Sequence, residues 1–236
     1  MAMFDPPPHM KKRHSDNRTP SLPLSTDPVV RTGAVEGAHS ADGEIIVRAR
    51  RLVFENTVFS VYADHVADKN GNEVSEYLSV VPKCLLADSV AGVVVLPVRD
   101  GRAGLIRVFR HPLGRWTWEA IKGHAEPGED ARDAASRELL EESGFSVKPD
   151  GLIYLGAVAP EGGVIEGRSR LFVGVLTEQA EKVGTPELGH GEMVFYSRDE
   201  IDDLIKQGEI EDASTLVLLL KHMGMFESKQ VGRSGA

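Results

Sequence analysis

The sequence predicts an α/β protein: a sandwich of mixed strands and helices, preceded by a small antiparallel sheet. From residue 91 onwards, strand-like segments rich in β-branched and aromatic residues are interspersed with helical segments, the element order of an α/β sandwich. Before residue 91, three strand-like segments follow one another without a helix, which indicates an antiparallel sheet. The 236 residues, 41% hydrophobic and 27% charged, suffice for one large domain or one domain with a smaller one.

The N-terminal part of the chain divides into a tail and a small sheet. Residues 1–42 are rich in proline, serine and charge, so we expect a disordered tail. Residues 43–88 are predicted to form the small sheet, and Asn70-Gly71 predicts a type I′ turn between its second and third strands. Because three strands are marginally stable alone, the sheet should pack on the main domain or on a second subunit. The predicted strands span residues 44–56, 57–66 and 73–82.

Residues 89–226 are predicted to form the main domain, followed by a flexible C-terminus at residues 227–236. Its first helix should begin after Asp130, a typical N-cap residue, and end before Gly144, a typical residue just past a helix C-terminus. The predicted strands span residues 91–98, 104–110, 115–123, 151–160, 169–177 and 192–197, and two more helices span residues 198–208 and 212–224.

Charge and cysteine content exclude several functional classes. The formal net charge of -9 argues against broad binding to nucleic acid or to anionic membranes, so neither is an expected partner. The single cysteine, Cys84, allows no internal disulfide framework, which is compatible with a reducing compartment, and we expect a cytoplasmic protein. No apolar run approaches 18 residues and the N-terminus has no apolar signal-peptide core, so no membrane span is expected.

Three glutamates lie close together on the first predicted helix of the main domain. Glu138, Glu141 and Glu142 share one helical face, where like charges cost roughly 0.2–0.5 kcal/mol per pair. They also lie near the C-terminal end of the helix, where the macrodipole disfavours anions. Carboxylates that converge in this way suit a hard divalent cation such as Mg²⁺, which also takes water and substrate phosphate oxygens. Charge spacing alone equally fits a solvated acidic helix face.

The order of residues around these glutamates decides between the two interpretations. The spacing is Gly123, five residues, Glu129, seven residues, Arg137-Glu138-Leu139, one residue, Glu141-Glu142, one residue, Gly144-Phe145. This pattern resembles the complete signature of the Nudix hydrolases. The resemblance implies a Nudix α/β/α fold from about residue 91 to 224, and hydrolysis of a nucleoside diphosphate linked to another group, with Mg²⁺ or Mn²⁺ as cofactor.

The resemblance also implies a role for each signature residue. Glu138 and Glu142 would be the main metal ligands, with Glu141 assisting. The backbone carbonyl of Lys122 would be a further ligand. Arg137 would orient the glutamates, and Glu129 would brace the loop against the helix.

Three features outside the signature resemble the group of ADP-ribose and nucleoside-diphosphate-sugar pyrophosphatases. Arg110 would meet the diphosphate or its ribose, and Glu119 would lie in the substrate cleft. Pro160 lies fifteen residues past Phe145, and this spacing is similar to the one found in that group. A small sheet before the domain is common there and usually builds a homodimer. The implied products are a nucleoside monophosphate and a sugar phosphate.

Two alternatives stay open at this point. Ile121-Lys122 departs from the proline and small residue usual in that group, and the Lys-Gly-His run is similar to Nudix enzymes acting on diadenosine polyphosphates or inositol pyrophosphates. A lysine would suit a longer phosphate chain. The second alternative is a non-catalytic nucleotide-binding domain; such domains commonly lose signature glutamates, and this chain keeps all of them.

The resemblance to this group also implies a catalytic base on a late loop. Glu187 and Glu192 are both candidates, and neighbouring glycines would let the loop close over substrate. Glu187 is preferred because it lies in the loop itself, whereas Glu192 begins the next strand. Glu161 and Glu166, on another loop, are expected near the distal sugar.

Overall fold

The computed structural model describes residues 45–176 and 188–231, with the backbone alone at residue 87 and from residue 225. The predicted tail at residues 1–42 and the predicted base Glu187 lie outside the described residues. In the described part of the chain, no helix combines the length and apolar character needed to cross a membrane.

The N-terminal sheet has three antiparallel strands in the order β1-β2-β3, as predicted. These are β1 (Ile45–Glu55), β2 (Phe59–Asp68) and β3 (Glu73–Pro82). A buried carboxylate ties the strands together, since Asp64 accepts two 2.8 Å hydrogen bonds from Arg50 on β1 and one of 2.7 Å from Ser79 on β3. A charge that is buried in this way is tolerated because every neighbouring strand supplies it with a donor.

The turn between β2 and β3 is a hairpin, but the predicted type I′ turn is wrong. Gly71 has φ +86°, while Asn70 does not have the positive φ that a type I′ turn requires. The Asp68 carboxylate instead accepts hydrogen bonds from the backbone N–H groups of Asn70 and Asn72, at 2.8 and 2.9 Å. Hydrogen bonds from Asn72 and Asn70 hold the pKa of Asp68 below its ordinary value. This side chain favours a three-residue loop with glycine in the left-handed position.

The main domain is built on a seven-stranded mixed sheet, in which β4 and β9 are parallel and the other pairs antiparallel. The predicted strand at residues 115–123 is two strands, β6 and β7, which pair with different partners. The order is β10-β5-β4-β9-β8, with β6 on β5 and β7 on β4. The strands are β4 (Val90–Arg99), β5 (Arg102–Arg110), β6 (Arg115–Glu119), β7 (Ile121–His124), β8 (Leu152–Val158), β9 (Arg168–Val175) and β10 (His190–Tyr196).

Two central strands diverge and open a cleft in the sheet. β4 and β5 pair only next to their connecting turn, at Val98–Ala103 and Arg99–Arg102. Beyond that point β4 pairs with β7, whereas β5 pairs with β6. Side chains from the separated strands therefore face one another across an opening rather than across a hydrogen-bonded ladder.

Helices cover both faces of the sheet, which confirms the predicted sandwich. They are α1 (Ala131–Ser143), α2 (Arg198–Lys206) and α3 (Ala213–Val231). α1 is capped as expected: Asp130 accepts from the Arg132 N–H at 2.7 Å, and Gly144 takes φ +76°. α3 extends beyond its predicted end at Gly224, since the following residues form helix well enough to offset one interior glycine. One core cluster lies under α1, including Leu139 and Phe172, and another lies under α2 and α3.

The N-terminal sheet docks on the loop between β8 and β9. Val80 on β3 donates its N–H to Val164 O at 2.8 Å and accepts from the Glu166 N–H at 2.9 Å. The Tyr77 hydroxyl donates to Gly163 O, also at 2.8 Å. The position of this loop beside the cleft is therefore set by the N-terminal sheet.

Candidate active site

A cavity of about 640 Å³ lies where β4 and β5 diverge, within the size range of ligand pockets. One wall is the loop before α1 and the inner face of that helix. The opposite wall is formed by β5, β7 and the start of α3. Phe59 and Pro82 of the N-terminal sheet also line the cavity, together with Pro160. The cavity therefore combines residues from distant parts of the chain.

Two of the three signature glutamates line the cavity from α1. Glu138 and Glu142, one helical turn apart, are each only 7% exposed. Glu141 does not line the cavity; its side chain is 47% exposed and accepts a 3.2 Å hydrogen bond from Arg137. Because like charges repel, two buried carboxylates so close together need compensating positive charge.

Arg137 supplies part of that compensation and connects the loop to the helix. Its guanidinium donates to both Glu129 oxygens at 3.0 Å, to Glu138 Oε1 at 2.9 Å and to the His124 backbone oxygen at 3.0 Å. These carboxylates hold the pKa of Arg137 above its ordinary value. In return, hydrogen bonds from Arg137 hold the pKa of Glu129 below its ordinary value. The same arginine therefore fixes the loop and orients Glu138.

Gly123 leaves the space that the Glu138 carboxylate occupies. A Cβ atom at residue 123 would lie 1.8 Å from Glu138 Cδ, so only glycine allows this arrangement. Within the described residues, no group of three His, Cys, Asp or Glu side chains is placed to hold an ion. Two oxygen-donor carboxylates on a cavity still fit Mg²⁺, which prefers few carboxylates and takes its other ligands from water and phosphate.

The opposite wall carries a chain of alternating charges. The Glu119 carboxylate, 2% exposed, accepts hydrogen bonds of 2.7 and 2.6 Å from the Arg110 guanidinium and also pairs with the Lys122 ammonium. Lys122 in turn donates to Asp212 Oδ2 at 2.8 Å. The hydrogen bonds to Glu119 raise the pKa of Arg110. Each of the two cations on this wall is thus already held by a carboxylate.

Asp212 is a site residue that the sequence analysis missed. Its Oδ1 accepts from the backbone N–H and the hydroxyl of Thr215, at 2.8 and 2.7 Å, which caps the start of α3. Burial alone would raise the pKa of Asp212, but the Lys122 charge and the Lys122 and Thr215 hydrogen bonds outweigh it and lower that pKa. An aspartate three residues before a threonine, ahead of an apolar helical run, was the available signal.

The end of the cavity near β10 contains His190, also missed in the sequence. His190 Nδ1 lies 3.8 Å from Glu142 Oε1, and the ring lines the cavity. The predicted alternative base, Glu192, does not line this cavity. Glu192 instead lines a neighbouring cavity of about 350 Å³, to which Glu142 also contributes. Glu142 therefore lies between the two cavities.

The NUDIX domain family matches residues 88–219, more than half of the chain. This chain belongs to the Nudix family. Three relatives are similar to this chain over most of their sequences. An ADP-ribose pyrophosphatase of Bacillus subtilis is 28% identical over 71% of this chain and 86% of its own length. A CMP-5'-(N-acetyl-N-hydroxy-3-aminopropyl)phosphonate hydrolase of Streptomyces rubellomurinus is 24% identical over 78% and 84%. A methanol dehydrogenase activator of Bacillus methanolicus is 24% identical over 70% and 85%.

A solved structure supports the same fold. The crystal structure of an ADP compounds hydrolase superposes with a TM-score of 0.65 at 19% sequence identity, and the match covers 81% of this chain and 98% of that chain. The chain therefore has this fold, with a small antiparallel sheet before the Nudix domain. The family match and the relatives indicate a Nudix hydrolase, an enzyme acting on phosphorus-containing anhydrides.

The Nudix site brings together most of the predicted residues. The predicted residues that line the main cavity are Arg110, Lys122, Arg137, Glu138, Glu142 and Pro160. Glu119 lies behind Arg110, to which it is bound, and Glu141 faces outward. Glu166 lines a separate cavity next to the N-terminal sheet, with its carboxylate 3.7 Å from the Arg50 guanidinium. That position places Glu166 beside the main cavity rather than in it.

Proposed function

We propose that this Nudix hydrolase cleaves the diphosphate linkage of ADP-ribose or a related nucleoside-diphosphate sugar, giving a nucleoside monophosphate and a sugar phosphate. The observation that carries the proposal is the pair of buried carboxylates, Glu138 and Glu142, facing Arg110 across a cavity of about 640 Å³. The named activity of the Bacillus subtilis relative, an ADP-ribose pyrophosphatase, supports the substrate class.

In the proposed reaction, the oxygen of a water molecule bonds to one phosphorus while the bridging P–O bond breaks. The bridging oxygen leaves with the other phosphate, and the protons of water pass to the products and solvent. Glu138 and Glu142 would hold Mg²⁺ or Mn²⁺, which when bound offsets phosphate charge and activates water. Arg137 keeps Glu138 in position through its 2.9 Å hydrogen bond. Arg110, held by Glu119, would position the diphosphate or its ribose.

The residue that accepts the proton from water is proposed to be Glu187, which precedes β10 in the sequence, or Glu192, which lies in β10. Glu187 stays the preferred candidate and Glu192 the alternative, because Glu192 lines the smaller cavity on the far side of Glu142. Replacing each glutamate with glutamine distinguishes the two candidates. The variant that lacks the base should have a kcat lower by on the order of a hundredfold or more, and the kcat of the other variant should change little. Native kcat in both variants would show that neither residue is the base.

The contacts of Lys122 argue against a polyphosphate substrate. Its ammonium is held between Glu119 and Asp212, so its charge is already offset by two carboxylates. A longer phosphate chain would have to displace those partners to gain the lysine. The non-catalytic alternative has no support in the site either, because every signature carboxylate is present.

The test is a substrate panel assayed with Mg²⁺: ADP-ribose, ADP-glucose, UDP-glucose, GDP-mannose, NADH and diadenosine polyphosphates. The ratio kcat/KM measures transition-state discrimination, so it is compared across the panel. We expect ADP-ribose or an ADP-sugar to lead, with AMP as a product. A lead of the diadenosine polyphosphates by more than a hundredfold would contradict the proposal, and no turnover of any member would favour a binding domain.

The N-terminal sheet is proposed to form a homodimer. Large apolar side chains stay exposed on it, including Phe54 at 57%, Val74 at 51% and Leu78 at 49%. Clustered exposed apolar side chains mark interaction surfaces. Light scattering should give twice the monomer mass for the native chain and the monomer mass for Leu78→Glu. Leu220→Glu, at a 73% exposed residue on α3, is the matched control and should stay dimeric. A monomeric native chain would contradict the proposed dimer.

A further inference from the structure

Four cationic side chains line the main cavity: Arg110, Lys122, Arg137 and Arg168. The first three are each bound to carboxylates, as described above. Among the residues that the structure describes, Arg168 has no carboxylate within ion-pair distance and no side-chain hydrogen bond. Arg168 is therefore the cavity cation whose charge is least offset by protein groups.

The position of Arg168 places that charge at a junction. It is the first residue of β9 and pairs with Val90 on β4. It lines both the main cavity and a neighbouring cavity of about 560 Å³. Arg170, two residues further along the same strand, lines the second cavity but not the main one, and its guanidinium lies 3.7 Å from Asp88. A molecule that extends from the main cavity into the second one would therefore lie beside Arg168.

The chemistry of the proposed substrate favours a cation of this kind. The diphosphate linkage carries two negative charges and would lie near Glu138 and Glu142, so a cation that no carboxylate neutralises would add to the charge that a bound metal ion offsets. An arginine without a carboxylate partner gains more from a phosphate than one that must share its donors, and its planar fork fits phosphate oxygens. The sequence analysis assigned phosphate binding to Arg110 and overlooked Arg168, because an isolated arginine at the start of a strand carries no pattern.

We propose that Arg168 binds a phosphate group of the substrate at the junction of the two cavities. This assignment rests on the proposed function, since it identifies where that site holds its anionic substrate. Arg168 is a substrate-binding residue in this account and takes no part in proton transfer. Its removal should therefore weaken substrate binding and leave the chemical step largely intact.

Steady-state kinetics with ADP-ribose and Mg²⁺ provide the first test, using Arg168→Ala, Arg168→Lys and the matched control Arg170→Ala. Loss of a charged hydrogen bond predicts a KM raised roughly tenfold or more in Arg168→Ala, with kcat changed by less than about threefold. Lysine should restore part of the affinity, because it keeps the charge but loses the fork. Arg170→Ala should stay within about twofold of the native KM. Equal effects of the two alanine variants would overturn the proposal.

Binding of inorganic pyrophosphate, measured by calorimetry on the full chain, separates this proposal from the proposed activity. The native protein and Arg170→Ala should bind pyrophosphate, and Arg168→Ala should bind it at least about tenfold more weakly. If ADP-ribose is not hydrolysed but this difference holds, the substrate is wrong and Arg168 is still a phosphate-binding residue. Native protein that binds no pyrophosphate, or unchanged binding in Arg168→Ala, would overturn the assignment.

Discussion

The two walls of the cavity are built in different ways. The wall on α1 comes from one continuous stretch, in which Gly123, Arg137, Glu138 and Glu142 lie within twenty residues of one another. The opposite wall joins Arg110 and Asp212, which are about a hundred residues apart. The first wall leaves two carboxylates facing the cavity, whereas the second neutralises its own charges internally. We infer that the first wall holds the ion and the second one sets which substrate fits.

The largest effect is expected on the α1 wall, from Glu142→Gln. A metal ion contributes several kcal/mol to a transition state, so loss of a main ligand should lower kcat on the order of a thousandfold. The fold should persist, because removing one charge from the helix face relieves repulsion. Turnover of ADP-ribose under saturating Mg²⁺ and the thermal midpoint are measured together. Near-native turnover would remove Glu142 from the role of ligand.

Gly123→Ala tests whether the geometry of that wall matters as much as its charge. The added Cβ would overlap Glu138 Cδ and must displace that carboxylate. A displacement of about 1 Å at a reacting group can cost roughly a hundredfold in rate, and we expect a loss of that size in kcat. Gly224→Ala is the matched control, since a Cβ there meets nothing within 4 Å. Native kcat in both variants would show that the position of the Glu138 carboxylate does not limit the rate.

Asp212→Asn addresses the opposite wall, where a change of specificity rather than of rate is expected. Asparagine can still cap α3, but Lys122 loses one of its two negative partners. The freed ammonium should raise kcat/KM for diadenosine polyphosphates relative to ADP-ribose by about tenfold, or roughly 1.4 kcal/mol. Glu211→Gln is the matched control, because it removes one negative charge from the neighbouring exposed residue, which pairs with Arg115 at 3.6 Å. This variant should leave the ratio unchanged. An unchanged ratio in Asp212→Asn would show that Lys122 does not control specificity.

The smallest effect concerns Glu129, which supports the α1 wall without facing substrate. Its pKa is lowered from 4.5 by Arg137, so the interaction stabilises the fold above about pH 4.5 and is lost as pH falls through the lowered pKa. Glu129→Gln should therefore lower the unfolding free energy by about 1 kcal/mol at pH 7 and by a smaller amount at pH 3. Denaturant titrations at both pH values provide the measurement. A constant difference between native protein and variant would rule out the charge interaction.

The contrast between the walls also explains what the sequence could predict. The α1 wall is local: spacing along one helix fixes which carboxylates share a face, and the caps at Asp130 and Gly144 are readable residue by residue. Even there, the sequence analysis grouped Glu141 with its neighbours, whereas its side chain turns to Arg137 and solvent. Helical spacing shows which side chains share a face, but it does not show that a nearby cation such as Arg137 draws one of them away from the cavity.

The opposite wall depends on tertiary pairing that one sequence does not contain. Lys122 suggested a polyphosphate site only because its partners were unknown, and Asp212 reaches it through the packing of α3 on the sheet. The predicted single strand at residues 115–123 is split because β4 and β5 diverge. Local strand propensity does not reveal this divergence. The same divergence creates the cavity, so the feature that the sequence missed is the one that builds the site.

Binding of Mn²⁺, followed by electron paramagnetic resonance without substrate, tests the central claim that the buried pair on α1 holds the ion. We compare the native protein with Glu142→Gln and Glu141→Gln. Because Glu142 lines the cavity and Glu141 does not, the first variant should bind Mn²⁺ at least about tenfold more weakly and the second within about threefold of native. Native affinity in Glu142→Gln, or equal losses in both variants, would contradict this account of the site.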